Sequence, residues 1–158
     1  MHSLLLFIAQ YLIVLIGLTA FVYWLTLPKK VKLRSLVFGL IAAVITYGLV
    51  KLGGAVFYDP RPFVQNPHLI PLFPHGPDNG FPSDHMALGA YTAFVIFSVS
   101  KRMGVLLLVL AILIGVARVI GHIHSPIDII GSLVFAFIGY LVAWALTPRI
   151  FNYLERSK

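Results

Sequence analysis

Apolar and polar positions divide the chain into five long apolar runs, roughly 4–27, 35–57, 84–100, 104–121 and 127–147. Each is near the ~20 residues that carry a helix across a bilayer, with the third and fourth at the short end. The pattern predicts an all-α, polytopic membrane helical bundle of about five transmembrane helices, with residues 1–158 forming one domain. The first run is longer than the roughly 7–15 apolar residues of a secretory signal, and no positive charge precedes it. It is expected to be a retained helix.

Two polar interruptions fall where apolar runs begin. "FPSDH" (81–85) sets a proline, a hydroxyl, a carboxylate and an imidazole at the start of the third run. "ARVIGHIHSPID" (117–128) separates the fourth run from the fifth. The longest polar segment, 58–82, contains Pro60, Pro62, Pro67, Pro71, Pro74, Pro77 and Pro82. Proline fixes φ and removes a donor, so this loop is expected to be extended and stiff. Its apolar members, among them Phe63, Leu69, Leu72 and Phe73, suit an ordered loop at the membrane interface. A solvent-exposed loop whose prolines only prevent strand pairing is the plainer reading.

Composition narrows the picture. Hydrophobic residues make up 59% of the chain and charged residues 11%, against about 25% charged in soluble domains. The lack of cysteine excludes disulfides, thiol catalysis and thiolate metal sites. A formal charge of +7 raises the question of nucleic acid, but the basic residues form short clusters between apolar runs, so no nucleic-acid partner is expected. Lys29, Lys30, Lys32, Arg34, Lys101, Arg102, Arg149, Arg156 and Lys158 share one side in a five-span arrangement. That side is cytoplasmic by the positive-inside rule. Lys51, Arg61 and Arg118 remain for the outer half, together with Asp59, Asp78, Asp84, Asp128 and all the histidines. The chemistry is therefore expected on the extracytoplasmic face of a multi-pass cell-membrane protein.

Ser83 is a natural N-cap for the third run, and an acid at position 84 favours the positive end of a helix. The free amides of the same helix start also form an anion site. Capping and anion binding are both open to these residues, and neither explains His85. Ser125, Pro126 and Asp128 read as N-cap, N1 and N3 of the fifth run, a capping box with aspartate in place of glutamate. His124 precedes this cap within reach of Asp128. A carboxylate on one ring nitrogen fixes the tautomer and leaves the other nitrogen as a nucleophile. Arg118, near the end of the preceding run, is costly beside a bilayer unless it snorkels or meets an anion. Cations, histidines and two helix starts on one side suit a phosphate ester.

Together, "DPRPF", "FPSDH" and "ARVIGHIHSPID" resemble the three-part signature of the type 2 phosphatidic acid phosphatase family, over roughly residues 50–145. Arg61-Pro62 matches the first part, and Pro82, Ser83 and His85 match the second. Arg118, His124 and Asp128 match the third in full spacing. The resemblance implies a metal-independent, cofactor-free phosphohydrolase. In it His124 attacks phosphorus to form a phosphohistidine, Asp128 orients that imidazole and His85 protonates the leaving group. Arg61, Arg118, Ser83 and a lysine hold the phosphate oxygens. The family lysine falls at position 54, which is glycine here; Lys51, nearly one helical turn away, is the nearest replacement. The family commonly has six spans, one more than the pattern predicts. Asp84, where the family usually has glycine, resembles the BcrC-type branch of undecaprenyl pyrophosphate phosphatases linked to bacitracin resistance. That resemblance implies a lipid diphosphate substrate within the membrane and a role in recycling the cell-wall carrier lipid. Phosphatidic acid, phosphatidylglycerol phosphate and diacylglycerol pyrophosphate are the alternative lipid phosphates. A lipid-phosphate transporter is the alternative of a different class, but it calls for polar residues at mid-membrane, where the second, fourth and fifth runs are apolar.

Overall fold

A computed structural model describes residues 2–156, and within them the chain is helical without strands; one isolated bridge pairs Pro60 with Asn79. The helices are α1 (His2–Gln10), α2 (Leu12–Leu25), α3 (Lys29–Val56), α4 (Pro62–Gln65), α5 (Asp84–Phe97), α6 (Lys101–Ile120) and α7 (Pro126–Arg156). Lys158, counted above among the cytoplasmic charges, lies outside the described residues.

The spans are less uniform than the apolar runs suggest. Helices α3, α6 and α7 are each long and apolar enough to cross a membrane. The first run is a broken pair, α1 and α2, bent by 48°. The third is α5, only 14 residues, or about 21 Å at 1.5 Å per residue, which is short of a ~30 Å hydrocarbon core. Its short length is offset by its position, because α5 packs against α2, α3, α6 and α7. Met86, Ala90, Ala93 and Ile96 of α5 are buried in the main core with Ile16, Leu107, Ala111 and Ile114. Small residues bring the backbones close, as membrane helices require when lipid is as apolar as their side chains. The outer faces of the long helices are apolar, with Leu40, Val44, Ile130 and Trp144 exposed. So much contiguous exposed apolar surface is unsuited to water and suited to lipid.

The two ends of the bundle differ. Lys29, Lys30 and Lys32 open α3, where the helix dipole disfavours cations. Local helix energetics does not account for them. Lys30, Arg34 and Lys101 line a cavity of about 600 Å³ with Ser98 and Trp144, and this cavity has no carboxylate or imidazole in its wall. Every residue nominated for chemistry lies at the opposite end, where α3 finishes and α5 and α7 begin.

Candidate active site

The long loop 58–82 is tied down rather than free. Asn79 staples both of its ends. Its side-chain oxygen accepts from the amides of Asp59 and Phe81, each at 3.0 Å. Its amide nitrogen donates to the carbonyls of Gly54 (3.0 Å) and Phe57 (2.9 Å) at the end of α3. The Leu72 amide donates to the Gly121 carbonyl at 2.9 Å, pinning the middle of the loop to the end of α6. Phe81 then wedges between α3 and α7. A Cβ on Gly53 would come within 2.6 Å of the Phe135 ring and 3.2 Å of Phe81, and one on Gly131 would strike the Phe81 ring. These hydrogen bonds order the loop against the ends of α3 and α6.

This framework delivers Arg61 to His124, 63 positions away in sequence. Arg61 is buried. Its Nε donates to Asp78 Oδ1 at 2.9 Å, its Nη1 donates to the Ile123 carbonyl at 3.0 Å, and Nη1 lies 3.4 Å from His124 Nε2. The guanidinium lowers the Asp78 carboxyl from 3.8, mainly through this hydrogen bond.

His124 Nδ1 lies 3.1 Å from Asp128 Oδ2, and both side chains are buried. A carboxylate only accepts, so the proton belongs on Nδ1 and the lone pair on Nε2, facing Arg61. The same Oδ2 accepts from the Ser125 amide at 2.9 Å, which is the reach-back half of the expected capping box. The other half is missing, since the Ser125 hydroxyl donates to Asp59. Gly80 permits the loop to close over this carboxylate, because a Cβ there would sit 2.9 Å from Asp128 Oδ2. Burial lowers the His124 imidazole from 6.5, opposed by its bond to Asp128 and assisted by the charges of Arg118 and Arg61. The imidazole is thus held neutral, as a nucleophile must be.

Ser83 departs from expectation. It occupies the N-cap position of α5 with extended backbone, but its side chain makes no cap hydrogen bond. Its hydroxyl is fully buried without a partner. Its main chain is tied to α7: the Ser83 amide donates to the Asp128 carbonyl at 3.3 Å, and Ser132 Oγ donates to the Ser83 carbonyl at 2.9 Å. Arg118 is buried in the last turn of α6. Its Nη1 donates to the Ala9 carbonyl of α1 at 2.9 Å, and its Nε has no partner. His85 has Arg118, His124 and Asp84 as charged or titratable neighbours.

Lys51 is not brought into this cluster. It is exposed, its ammonium lies 5.2 Å from the Tyr47 ring centroid, and it lines an α3–α5 groove of about 490 Å³ with Asp84. Position 54 faces the turn before Ser83: a Cβ on Gly54 would be 3.2 Å from the Phe81 carbonyl. One turn separates position 54, packed against the turn before Ser83, from the exposed Lys51.

The arrangement is a buried histidine–aspartate pair, two guanidiniums, and unpartnered donors on Ser83 and Arg118. Residues 32–153 match the PAP2 superfamily. The chain belongs to the PAP2 superfamily. It is 33% identical over 144 residues to the bacitracin transport permease protein BcrC of Bacillus licheniformis, covering 91% of this chain and 70% of that protein. It is 35% identical over 147 residues to the undecaprenyl-diphosphatase BcrC of Bacillus subtilis (strain 168), covering 89% and 72%. No solved structure matches the chain. PAP2 membership places the matched segments 59–63, 81–85 and 117–128 within one homologous region.

Sequence reasoning passed over Asp59, His75, Asp78 and Asn79 as site residues. Asn79-Gly80 is a turn signal that marks the loop's return. Asp59 opens the quoted "DPRPF", and nothing local marks His75 or Asp78.

Proposed function

We propose that this membrane phosphatase of the PAP2 superfamily removes the terminal phosphate of a polyprenyl diphosphate at the extracytoplasmic face of the cell membrane. In that setting it would return the cell-wall carrier lipid to use. The observation that carries the reading is His124, with Nδ1 on Asp128 and Nε2 turned toward Arg61. The names of two BcrC relatives, one a diphosphatase and the other a bacitracin transport protein, support the substrate class. Residues 1–158 act as one integral membrane domain.

The chemistry follows from the geometry. The phosphate enters between Arg61 and Arg118, whose donors suit its oxygens, and Ser83 supplies a further O–H. His124 Nε2 forms an N–P bond as the bond from phosphorus to the bridging oxygen breaks. His85 gives its proton to that oxygen, and the lipid monophosphate leaves. Water then attacks phosphorus, passes a proton to His85, and the N–P bond breaks to release inorganic phosphate. Preorganised donors aimed at developing charge are the largest contribution such a site makes. The chain's own residues supply every role in this scheme. Among the described residues no group of three or more His, Cys, Asp or Glu side chains is placed to hold a metal ion.

Phosphate release in sealed, right-side-out vesicles tests both halves of the reading. Externally supplied undecaprenyl diphosphate should be hydrolysed faster than phosphatidic acid. In the same vesicles an impermeant thiol reagent should label Asn66→Cys but not Ser98→Cys. Faster turnover of phosphatidic acid would overturn the substrate, and reversed labelling would overturn the orientation.

A further inference from the structure

We propose that His75, on the loop 58–82, is a third phosphate-binding imidazole, which takes up a proton as an anionic phosphate group settles between Arg61 and Arg118. The inference rests on the reading of this cluster as a phosphate site and adds a residue that the motifs do not contain.

His75 is linked to each guanidinium through a shared neighbour, Asp78 for Arg61 and Phe73 for Arg118. On one side its Nδ1 is 3.6 Å from Asp78 Oδ1, the oxygen already bonded to Arg61 Nε. On the other its ring is 6.1 Å from Phe73, and the Arg118 guanidinium lies 5.7 Å from that same Phe73 ring. Packing on Phe73 explains why the ring is ordered, but it does not explain the nitrogen. His75 Nδ1 is buried with no hydrogen-bond partner. An orphaned buried polar atom is costly and calls for a ligand or a change of protonation.

Charge supplies the link to phosphate. The groups facing His75 are Arg61 and Asp78 from the loop region, Arg118 from α6 and His85 from α5. Burial and the two arginines outweigh Asp78 and the Gly76 backbone, so the imidazole is held below 6.5 and is neutral near pH 7. A phosphate placed between the arginines cancels their field at His75 and accepts a hydrogen bond from the protonated ring. Its pKa then rises, and the proton comes from solvent. With Lys51 outside the cluster, His75 is the loop's means of adding a third positive charge only when an anion is present. Affinity is greatest below the pKa of the ring without phosphate and falls as pH rises toward its pKa with phosphate bound.

Calorimetric titration of inorganic phosphate into the detergent-solubilised protein, in buffers of different ionisation enthalpy, reads both affinity and proton uptake. Phosphate's own ionisation is common to every variant, so differences between variants isolate His75. Losing a charge-assisted hydrogen bond should weaken binding by about tenfold at about pH 6 in His75→Gln and reduce the proton uptake. His75→Lys, whose charge is permanent, should retain affinity and also lose that uptake. Unchanged affinity and uptake in His75→Gln would overturn the assignment alone. So would a His75→Lys protein as weak as the glutamine variant, since that pattern indicates packing. Failure of the wild type to bind phosphate would overturn the phosphate site itself, and His75 with it.

Discussion

The starts of α5 and α7 lie side by side and are bonded to each other, yet they are finished in opposite ways. At α7 the carboxylate of Asp128 reaches back to the Ser125 amide and also holds His124 Nδ1. One oxygen satisfies a helix terminus and sets the tautomer of the proposed nucleophile. At α5 the serine at the cap position bonds nothing, and its hydroxyl is buried without a partner. A third helix start, α6, shows what capping looks like in this chain: Ser100 Oγ accepts from the Met103 amide at 3.4 Å. The same residue type at the same helical position is thus a cap at the basic end of the bundle and a free donor at the other. A terminus left open inside a protein is expensive unless a ligand completes it.

Asp128 is where this comparison is most exposed to experiment. If its carboxylate were mainly a cap, Asp128→Asn would cost about 0.5–2 kcal/mol of stability and leave much of the activity. If it holds the His124 tautomer, the variant should fold normally and lose ~10⁴ in kcat. Circular dichroism melting beside single-turnover kinetics separates the two. A destabilised but active Asp128→Asn would reduce α7's start to a cap.

His85 comes next, on the open terminus. Removing a general acid costs ~10²–10⁴-fold where the departing oxygen is a strong base. Cleaving phosphatidic acid releases an alkoxide, whereas cleaving a polyprenyl diphosphate releases a far weaker base. His85→Gln should therefore lose more activity toward phosphatidic acid than toward the diphosphate. Equal losses would show that His85 binds phosphate and delivers no proton.

The smallest effect is the most direct contrast. Ser83→Ala deletes no cap, so its melting temperature should stay near that of the wild type. Its KM for the diphosphate should rise about 10–100-fold, as expected for a lost hydrogen bond to a charged group. Ser100→Ala should do the reverse, losing about 1 kcal/mol of stability while keeping its kinetic constants. If the two serines behave alike, the distinction between an open and a closed helix start fails.

The sequence alone carried the parts that depend on neighbours in the chain. Apolar runs become helices because burying a backbone in lipid requires its hydrogen bonds to be satisfied within the segment. His124 and Asp128 meet because four positions across a helix start bring side chains together. Arg61, Ser83, His85 and Arg118 could be nominated from their motifs, but nothing local states what each one touches.

Tertiary structure decided the rest, and the reason is separation along the chain. Arg61 meets His124 across 63 positions, and Arg118 reaches the Ala9 carbonyl across 109. The break between α1 and α2 lies at Tyr11 without a proline or glycine to announce it. The third run is long enough to count as a span, but its helix α5 has only 14 residues, and its central place comes from the helices packed around it. Lys51 matches in charge but is exposed in the groove between α3 and α5, a fact set by how α3 packs against α5 and α7. His75 and Asp78 have no periodicity or motif, and only the folding of the 58–82 loop onto α6 brings them to the arginines. A pattern with a period of a few residues describes which face a helix buries. It does not say which distant carbonyl, ring or guanidinium will be on the other side, because that depends on how whole helices and loops pack.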